Sequence, residues 1–358
     1  MPRHPLFASL PNVREKFDVA EPVKSARIIV PQIVPHASDA RVIGQVVEVV
    51  TGGATNKIWK CSFSFREGEE IRRDDFPPVL IRVFGAEGMI DREIETARFV
   101  DLWQAGVGPA YYGRFENGRI EGFLQGCRTL AVRDLSKPDL SLKIAIEIAK
   151  LHKAVEALGA PELWDQMDAW LVQARGSKFQ EGSSEARQFA EVNLDWAGTE
   201  LERLQRFVTP DFPVVFCHND LLAANMMENM ETGKLHLVDF EYGGFNFRGF
   251  DIANHFNEWA GGTEASNPSG TTDYTLFPSQ DQMRAFCQTY LAEMGLKEDR
   301  DLDQLLLEVR IFLQINHLYW GLWAVNMAAS EGCTSFAYLS YAHNRFNEFR
   351  RRQAEGAP

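Results

Sequence analysis

The chain has 358 residues, 45% of them hydrophobic and 24% charged, with a formal net charge of −13 at pH 7. This length favours two compact parts with a ligand-binding cleft between them, and the composition is that of an ordered globular protein. Because a negative surface repels a phosphate backbone, we expect no nucleic-acid partner. No apolar run approaches the roughly 20 residues that span a bilayer, so we expect no membrane span.

The beginning of the chain is rich in proline. Residues 1–40 contain Pro2, Pro5, Pro11, Pro22, Pro31 and Pro35, and prolines discourage long helices. We therefore predict an N-terminal extended arm over residues 1–40. The arm lacks the apolar core of a signal peptide, and the five cysteines of the chain are scattered without a ligand cluster. Both features favour a cytoplasmic protein with reduced thiols.

Residues 41–126 have the pattern of a small sheet. Runs of β-branched and aromatic residues end at turn signals, and a single helical period interrupts them. We predict an antiparallel sheet lobe with one helix, formed by strands at 42–50, 57–65, 79–84, 110–115 and 119–124 and a helix within 89–105.

Residues 127–358 are predominantly helical in their periodicity. The pattern predicts helices at 141–158, 161–174, 185–207, 281–293, 302–328 and 335–351. Two short apolar runs, 214–216 and 235–238, each lead into a polar cluster. The predicted fold class is therefore α+β, with a small antiparallel sheet lobe (41–126) and a larger, mostly helical lobe (127–358).

The strongest chemical signal follows these two apolar runs. His218-Asn-Asp220 is followed by Asn225, and fourteen residues later comes Asp239-Phe-Glu241. Phosphoryl transfer needs a carboxylate that orients a hydroxyl and accepts its proton, plus oxygen ligands for Mg²⁺. The pattern assigns Asp220 as the catalytic base and Asn225 and Asp239 as metal ligands. The alternative is that these residues only stabilise turns, which Asp and Asn commonly do.

A glycine-rich turn lies between the first two predicted strands. It contains Gly52, Gly53, Thr55 and Asn56. Glycines let backbone N–H groups approach phosphate oxygens, and the Thr and Asn side chains can add hydrogen bonds. We predict that these four residues bind the nucleotide, although a Gly-Gly pair between strands is also typical of an ordinary hairpin.

Arg82 lies in the middle of an apolar strand, where an unpaired cation would be costly. Glu95 in the following helix is a suitable partner, and the pair could present a guanidinium to the phosphates. A surface ion pair on an edge strand is the alternative. The short strand that joins the two parts offers backbone groups of Gly122 and Leu124 to an adenine edge.

Aromatic residues recur near the C-terminus. Asn316, Trp320, Trp323 and Met327 share one face of a predicted helix, and Phe336, Tyr338 and Tyr341 follow. A cage of aromatic faces is a good host for an ammonium group, and Glu258 could add a carboxylate. A plain hydrophobic core is the alternative. Asp251 is predicted to be a buried structural anchor for the catalytic loop.

Five segments together resemble one family. They are Gly52-Gly-Ala-Thr-Asn-Lys57, Leu80-Ile-Arg-Val-Phe-Gly85, Val215-Phe-Cys-His-Asn-Asp-Leu-Leu222, Asp239-Phe-Glu-Tyr242 and Asn254-His-Phe-Asn-Glu-Trp259, and they are similar to segments of the choline/ethanolamine kinase family. The resemblance covers about residues 42–349. It implies a two-lobed protein-kinase-like fold, ATP and Mg²⁺ as cofactors, and a role in phospholipid biosynthesis.

The resemblance also implies roles for individual residues. Asp220 corresponds to the base, Asn225 and Asp239 to the Mg²⁺ ligands, and Arg82 with Glu95 to the ion pair on the phosphate side. The family's aromatic pocket corresponds to Tyr242, Trp320, Trp323, Phe336 and Tyr341.

The residues around 254–261 and 273–278 resemble the ethanolamine kinase branch. Choline kinases typically have Cys in place of Asn257 and Tyr-Asp-Tyr in place of Ala260-Gly261-Gly262. We therefore expect ethanolamine as the substrate, with choline or dual specificity as the alternative.

Two other readings stay open. An aminoglycoside phosphotransferase would share Asp220, Asn225 and Asp239 but is expected to have an acidic acceptor pocket. An inactive kinase-fold scaffold would usually lack one member of the catalytic set. The sequence assigns no role to residues 262–271, and a homodimer stays among the open expectations.

Overall fold

The computed structural model describes residues 9–50, 56–68, 70–85, 91–157 and 159–357. Its strands, in chain order, are β1 Val42–Val50, β2 Asn56–Phe65, β3 Val79–Phe84, β4 Tyr111–Phe115, β5 Gly118–Gly122, β6 Cys127–Thr129, β7 Val214–Cys217, β8 Met226–Asn229, β9 Leu235–Leu237 and β10 Gly244–Phe247. Its helices are α1 Pro22–Ile33, α2 Arg92–Gln104, α3 Val132–Leu135, α4 Pro138–Ala154, α5 Leu163–Arg175, α6 Ser184–Ala190, α7 Leu194–Gln205, α8 Arg248–Asn257, α9 Gln280–Met294, α10 Asp299–Glu331 and α11 Tyr338–Ala354.

The chain forms two compact units. The first comprises the described residues up to Arg128 together with Met227–Glu241, and the second comprises Thr129–Met226 and the residues from Tyr242 onward. The sequence predicts one lobe over 127–358, whereas residues 227–241 belong to the first unit. Asp239 is therefore part of the sheet-containing unit, and Asp220 and Asn225 are part of the helical one.

The first unit is built on a five-stranded antiparallel sheet with the order β1-β2-β3-β5-β4. In the pairing of β3 with β5, Arg82 lies directly opposite Arg119. Like charges in opposed positions repel, so this arrangement requires carboxylates nearby. The register therefore concentrates buried charge at one place in the sheet.

Helix α1 corrects the predicted extended arm. Pro22 occupies the first turn, where its fixed φ favours a helix and its missing N–H costs nothing. Ala26, Ile29, Val30 and Ile33 are buried at helical spacing, and the helix packs against β1 and β4. Burial of this apolar face outweighs the prolines, including Pro31 inside the last turn.

The second unit is predominantly helical. Its centre is α10, a helix of 33 residues that packs against α5, α8, α9 and α11 and is buried almost throughout from residue 308 to residue 328. The two-stranded pair of β7 and β10 delivers the chain into the loop that begins at His218. The predicted helix at 185–207 is two helices, because Asn193 caps α7 by accepting the N–H of Trp196.

Within the described part of the chain, no helix has the combination of length and apolarity that crossing a bilayer requires. All five cysteines are free thiols, and Cys61, Cys217 and Cys287 are buried.

Candidate active site

The catalytic loop of the second unit follows β7. Asp220 is half-buried, and Asn225 lies five residues later on a short turn. The Asn225 side-chain amide donates to the Asp220 carboxylate and to the Asp220 backbone carbonyl, both at 2.9 Å. The structure therefore brings together two of the residues that the sequence predicted, and fixes the orientation of both side chains.

The residue before Asp220 has an unusual backbone. Asn219 has a φ of 65°, in the left-handed region that costs energy for any residue with a side chain. Its amide donates to the carbonyl of Tyr242 at 2.8 Å, and its amide oxygen accepts from Asn246 at 2.8 Å. Asn is among the few residues that tolerate this conformation, and these two hydrogen bonds hold it there.

Asp251 is the buried anchor of the catalytic loop, as predicted. Its carboxylate accepts the backbone N–H groups of His218 and Asn219, at 2.8 and 2.7 Å. The third partner is His152, whose Nε2 lies 3.0 Å from the same carboxylate and whose Nδ1 contacts the Tyr290 hydroxyl at 2.8 Å. All these groups are buried, so the position of Asp220 is determined by a rigid internal network.

The same buried region contains His152, Cys217 and Asp251 within metal-binding distance of one another. The hydrogen bonds of His152 and Asp251 occupy the lone pairs that a metal ion would need. We interpret this group as structural.

Asp239, in the first unit, also has a strained backbone, with a φ of 65°. Its carboxylate Oδ1 accepts from Arg82 Nη1 at 2.9 Å. Asn219 and Asp239 are the positive-φ residues other than glycine among the residues described. Both lie inside the motifs to which the sequence assigned chemistry, where such strain is commonly found.

The predicted ion pair of Arg82 with Glu95 needs a correction. Arg82 is bonded to Glu121 at 2.9 Å and to Asp239, whereas Glu95 is bonded to Arg92 at 2.7 Å and to Arg119 at 2.8 Å. Arg119 also donates to Glu121 at 2.6 Å, so Arg82 and Glu95 are linked through two intermediate residues. Arg82 and Arg119 lie opposite each other on neighbouring strands, so their like charges repel unless carboxylates compensate for them. Glu121, which bonds to both arginines, is one such carboxylate.

The network keeps its members charged. Burial alone lowers the pKa of Arg82, but Asp239 and Glu121 outweigh burial and raise it. Burial alone raises the pKa of Glu95, but Arg119 and Arg92 lower it. A cluster of fixed, ionised side chains therefore lies beside Asp239.

The residues predicted to bind the nucleotide are only partly described. Gly52, Gly53 and Thr55 lie outside the described residues. Asn56 begins β2 and donates to Glu241 Oε2 at 3.0 Å, which ties the start of this strand to the segment that contains Asp239. The N–H of Gly122 donates to Ala110 at 2.7 Å, so this donor is used within the fold. The prediction for Leu124 stays a prediction.

In the second unit the predicted aromatic residues form one cluster. The ring of Trp320 lies 5.5 Å from Tyr242 and 5.3 Å from Trp323, each at nearly a right angle. Tyr341 lies 6.5 Å from Trp323 and 5.8 Å from Phe336. The Trp323 indole N–H donates to the Tyr242 hydroxyl at 2.9 Å. This cluster, which we call the aromatic cage, also includes Tyr338, which makes edge-to-face contacts with Trp323 and Phe336.

The unassigned segment 262–271 lies against this cage. A Cβ atom at Gly270, where φ is 67°, would lie 3.0 Å from Tyr341 and 3.2 Å from Phe336. A Cβ at Gly262, where φ is 120°, would lie 3.2 Å from the Tyr341 ring. Glycine at both positions lets the backbone approach the aromatic faces closely.

Glu258 is buried just after α8, and Arg345 of α11 donates to its Oε1 at 3.0 Å. The same Arg345 nitrogen contacts the Tyr341 hydroxyl at 3.0 Å. Glu258 is therefore connected to the aromatic cage through one arginine. Burial raises the pKa of Glu258, and Arg345 opposes this increase.

Sequence reasoning missed Arg119, Glu121 and Arg345. Arg119 and Glu121 alternate with apolar residues in β5, which is also the pattern of a strand with one solvent-facing side. Arg345 stands in a helix rich in exposed charge, where nothing local distinguishes it. One sequence feature could have identified Arg119 and Glu121: two charged residues stand within the five residues of β5, the strand that pairs with the one containing Arg82.

The comparisons with known proteins agree with this geometry. A sequence model of the family described as choline/ethanolamine kinase matches residues 47–350. The protein named "Probable ethanolamine kinase" from Arabidopsis thaliana is 34% identical over 316 residues, which is 86% of this chain and 79% of that protein. "Probable choline kinase 3" from the same plant is 31% identical over 307 residues, 85% of each chain.

Among solved structures, an ethanolamine kinase from Plasmodium vivax superposes with a TM-score of 0.73. It is 24% identical and covers 91% of this chain and 88% of its own. This likeness confirms the predicted fold, a small antiparallel sheet lobe and a larger helical lobe of the protein-kinase-like type. The catalytic loop, the charged network, the aromatic cage and a family match over residues 47–350 lead to one conclusion: the chain belongs to the choline/ethanolamine kinase family.

Proposed function

We propose that this protein transfers the γ-phosphate of ATP to the hydroxyl of ethanolamine, as a step in phospholipid biosynthesis. One observation carries the proposal. Asn219, which precedes the base Asp220, is bonded to the backbone of the cage residue Tyr242 at 2.8 Å. The group that would accept a proton and the cage that would hold an ammonium ion are therefore parts of one rigid assembly.

Asp220 has the features of a general base for a bound alcohol. Its charge contributes to the raised pKa of the cage residue Tyr341, after the larger effects of burial and of Arg345 and Glu258. The carboxylate is therefore within electrostatic range of the cage. A substrate whose ammonium group lies in the cage and whose hydroxyl lies two carbons away could reach it, and Asp220 would accept the hydroxyl proton.

The donor set suits Mg²⁺. Asn225 uses its amide nitrogen on Asp220, and its amide oxygen accepts no hydrogen bond from a described residue. Asp239 gives Oδ1 to Arg82, and its Oδ2 likewise has no described donor. Amide and carboxylate oxygens are the ligands that Mg²⁺ prefers. Asn225 and Asp239 each offer an oxygen that Mg²⁺ could use, and a bound ion would neutralise phosphate charge during transfer.

On the nucleotide side, Arg82 is the residue that we assign to the phosphates. It is buried, permanently charged and oriented by Glu121 and Asp239. Because this orientation exists before any ligand binds, no side-chain ordering is required at the time of reaction. Glu95 supports Arg82 indirectly, through Arg119 and Glu121.

Ethanolamine is favoured over choline by the environment of Glu258. A primary ammonium donates hydrogen bonds, and Glu258 Oε2 accepts none from a described residue. A quaternary ammonium cannot donate and depends on aromatic contacts alone. Choline stays the second candidate, because the matched relatives include proteins named as choline kinases.

The test is a coupled ADP-release assay with Mg²⁺ and ATP, in which ethanolamine, choline and a buffer blank are compared at matched concentrations. We expect kcat/KM for ethanolamine to exceed that for choline at least tenfold, a difference of about 1.4 kcal/mol. Asp220→Ala protein, purified in the same way, controls for contaminating ATPase activity.

The other outcomes are also informative. Turnover of choline alone would refute the preference for ethanolamine and keep the mechanism. Absence of turnover with both amino alcohols would refute the proposed substrate class.

A further inference from the structure

Arg345 is a buried guanidinium in the helical unit that sequence reasoning did not predict. It lies on α11 and has 1% of its surface exposed. A buried charge is costly unless hydrogen bonds and an opposite charge compensate for it. The contacts that Arg345 makes therefore indicate what it does.

Arg345 connects three parts of the predicted amino-alcohol pocket. Its Nη1 donates to Glu258 Oε1 and to the Tyr341 hydroxyl, each at 3.0 Å. Its Nη2 donates to the backbone carbonyl and the side-chain oxygen of Asn316, at 3.2 and 2.5 Å. The Asn316 side-chain oxygen also accepts from the Asn257 side-chain amide at 2.9 Å. Asn257 is the last residue of α8 and precedes Glu258, so the hydrogen-bonded network begins and ends at neighbouring residues.

The contact with Glu258 involves only one carboxylate oxygen. Glu258 is 3% exposed, and among the described residues no donor other than Arg345 reaches its side chain. A guanidinium often binds a carboxylate through both oxygens, as Arg248 does with Glu308. The single contact leaves Glu258 Oε2 available to another donor.

We propose that Arg345 is a positioning residue that holds Glu258 by one carboxylate oxygen and Tyr341 by its hydroxyl, so that the other carboxylate oxygen receives the ammonium group of the substrate. The inference rests on the proposed function, since it concerns the acceptor pocket of the same site. Arg345 itself does not contact the substrate. It acts through Glu258 and Tyr341.

The charges around Glu258 support this role. Arg345 is the cation that faces it, while Glu264 adds a like charge from the neighbouring loop. The phenols of Tyr274 and Tyr341 also lie within electrostatic range of Glu258, and His317 of α10 faces Arg345. Without Arg345, burial and Glu264 would both favour the neutral acid, which attracts an ammonium group far less.

The first experiment measures steady-state kinetics of the full chain with Arg345→Met and Arg345→Lys. We expect Arg345→Met to raise the KM for ethanolamine at least tenfold while the KM for ATP stays within twofold of wild type. Lysine keeps the charge but cannot reach all three partners. The KM of Arg345→Lys for ethanolamine should therefore lie between those of wild type and Arg345→Met. If Arg345→Met does not fold, Arg345→Lys is judged by the same separation of the two KM values.

The matched control is Arg248→Met. It also removes a buried guanidinium from a carboxylate in the helical unit, but at a pair that has no contact with the cage residues among those described. We expect it to lower the melting temperature and to leave the ratio of the two KM values unchanged. A proportional rise of both KM values in Arg345→Met, as for general loss of structure, would overturn the proposal.

A double variant tests whether Arg345 acts through Glu258. If it does, Arg345→Met combined with Glu258→Gln should raise the KM for ethanolamine no more than the worse single change. Fully multiplicative effects would show that the two residues act separately, and the proposed positioning role would then be wrong.

A stability measurement separates this inference from the proposed function. Removing Arg345 should raise the pKa of Glu258 further above its unfolded value. The folded protein then holds a proton that the unfolded chain releases, so stability falls as pH rises through that window. On going from pH 8 to pH 6, the melting temperature of Arg345→Met should therefore rise relative to that of the double variant. This relative rise should be larger than the rise of wild type relative to Glu258→Gln, because Arg345 opposes protonation of Glu258 in the wild type.

Equal gains in these two comparisons would refute the link between Arg345 and Glu258 whatever the substrate. If the link is present but the wild-type chain phosphorylates neither amino alcohol, the proposed function fails and the ammonium role of Glu258 fails with it.

Discussion

Asp220 is the residue on which the proposed chemistry depends most directly. Replacing Asp220 with alanine removes the proton acceptor but leaves Arg82, Asp239 and their network in the first unit intact. We expect turnover to fall at least 100-fold, the lower range for loss of a general base, while ATP affinity stays within a few-fold. ADP release and equilibrium ATP binding measure the two effects. Turnover equal to wild type would contradict the assigned role.

Asp251 offers a second test at the scale of one residue. Asp251→Asn keeps the shape but replaces one acceptor oxygen with an NH₂ group, which cannot accept from His218, Asn219 or His152. The loop that carries Asp220 should shift slightly, and a misplacement of about 1 Å costs about 100-fold in rate.

We expect kcat for Asp251→Asn to fall by about 10- to 100-fold, with both KM values nearly unchanged, in the same assay. A normal kcat would mean that the carboxylate is not needed to hold the loop.

Individual residues differed in how well the sequence revealed them. Asp220 and Asp239 stand out because each follows a short apolar strand, and Asn225 follows Asp220 at a spacing that ordinary turns rarely share. Arg119 and Arg345 could not be identified in this way, because their importance comes from burial. Burial depends on the register of β3 with β5 and on the packing of α11, which are tertiary properties.

At the scale of elements, α10 supplies the centre of the aromatic cage. Trp323 contacts Trp320 on the same helix and Tyr341 on α11, and it bonds to Tyr242. Trp323→Ala should raise the KM for ethanolamine at least tenfold and change the KM for ATP by less than twofold, because loss of a cation–π contact affects only the ammonium.

The control for this prediction is Trp196→Ala, which removes an indole that packs on Phe346 and Phe349 outside the cage. It should lower stability without separating the two KM values. Equal increases of both KM values in Trp323→Ala would argue that the aromatic cluster is plain hydrophobic core.

The elements themselves were predictable where local pattern and tertiary packing agree. Strands β1 and β3 have the predicted bounds, because runs of apolar residues there end at clear turn signals. The extended arm was wrong for Pro22–Ile33, because the apolar face of α1 is buried against the sheet. The break between α6 and α7 depends on one capping hydrogen bond, from the Trp196 N–H to Asn193. Helical periodicity over residues 185–207 does not show such a local break.

At the scale of the whole molecule, the division into two units was only partly visible in the sequence. A change from strand to helical periodicity near residue 126 indicated the first boundary. The return of Met227–Glu241 to the first unit was not predicted, because short strands such as β8 and β9 do not show which sheet they join. As a result, the two predicted metal ligands belong to different units.

The buried histidine His255 makes the stability of the whole protein depend on pH. The Trp259 indole N–H donates to its Nε2, and its Nδ1 faces the carbonyl of Leu221, so the ring is held as the neutral Nδ1–H tautomer. Burial lowers the pKa of His255 to about 4. Between this value and the unfolded value near 6.5, the unfolded chain binds the extra proton, so acid favours unfolding.

From these values, moving from pH 7.5 to pH 5 should cost about 2 kcal/mol through His255 alone. A variant with His255→Gln cannot titrate, so its melting temperature should fall less than that of wild type over the same change. We expect the difference to be a few degrees, measured by thermal unfolding at both pH values and one scan rate. Equal losses of melting temperature in the two proteins would show that burial does not lower the pKa of His255 in the folded protein.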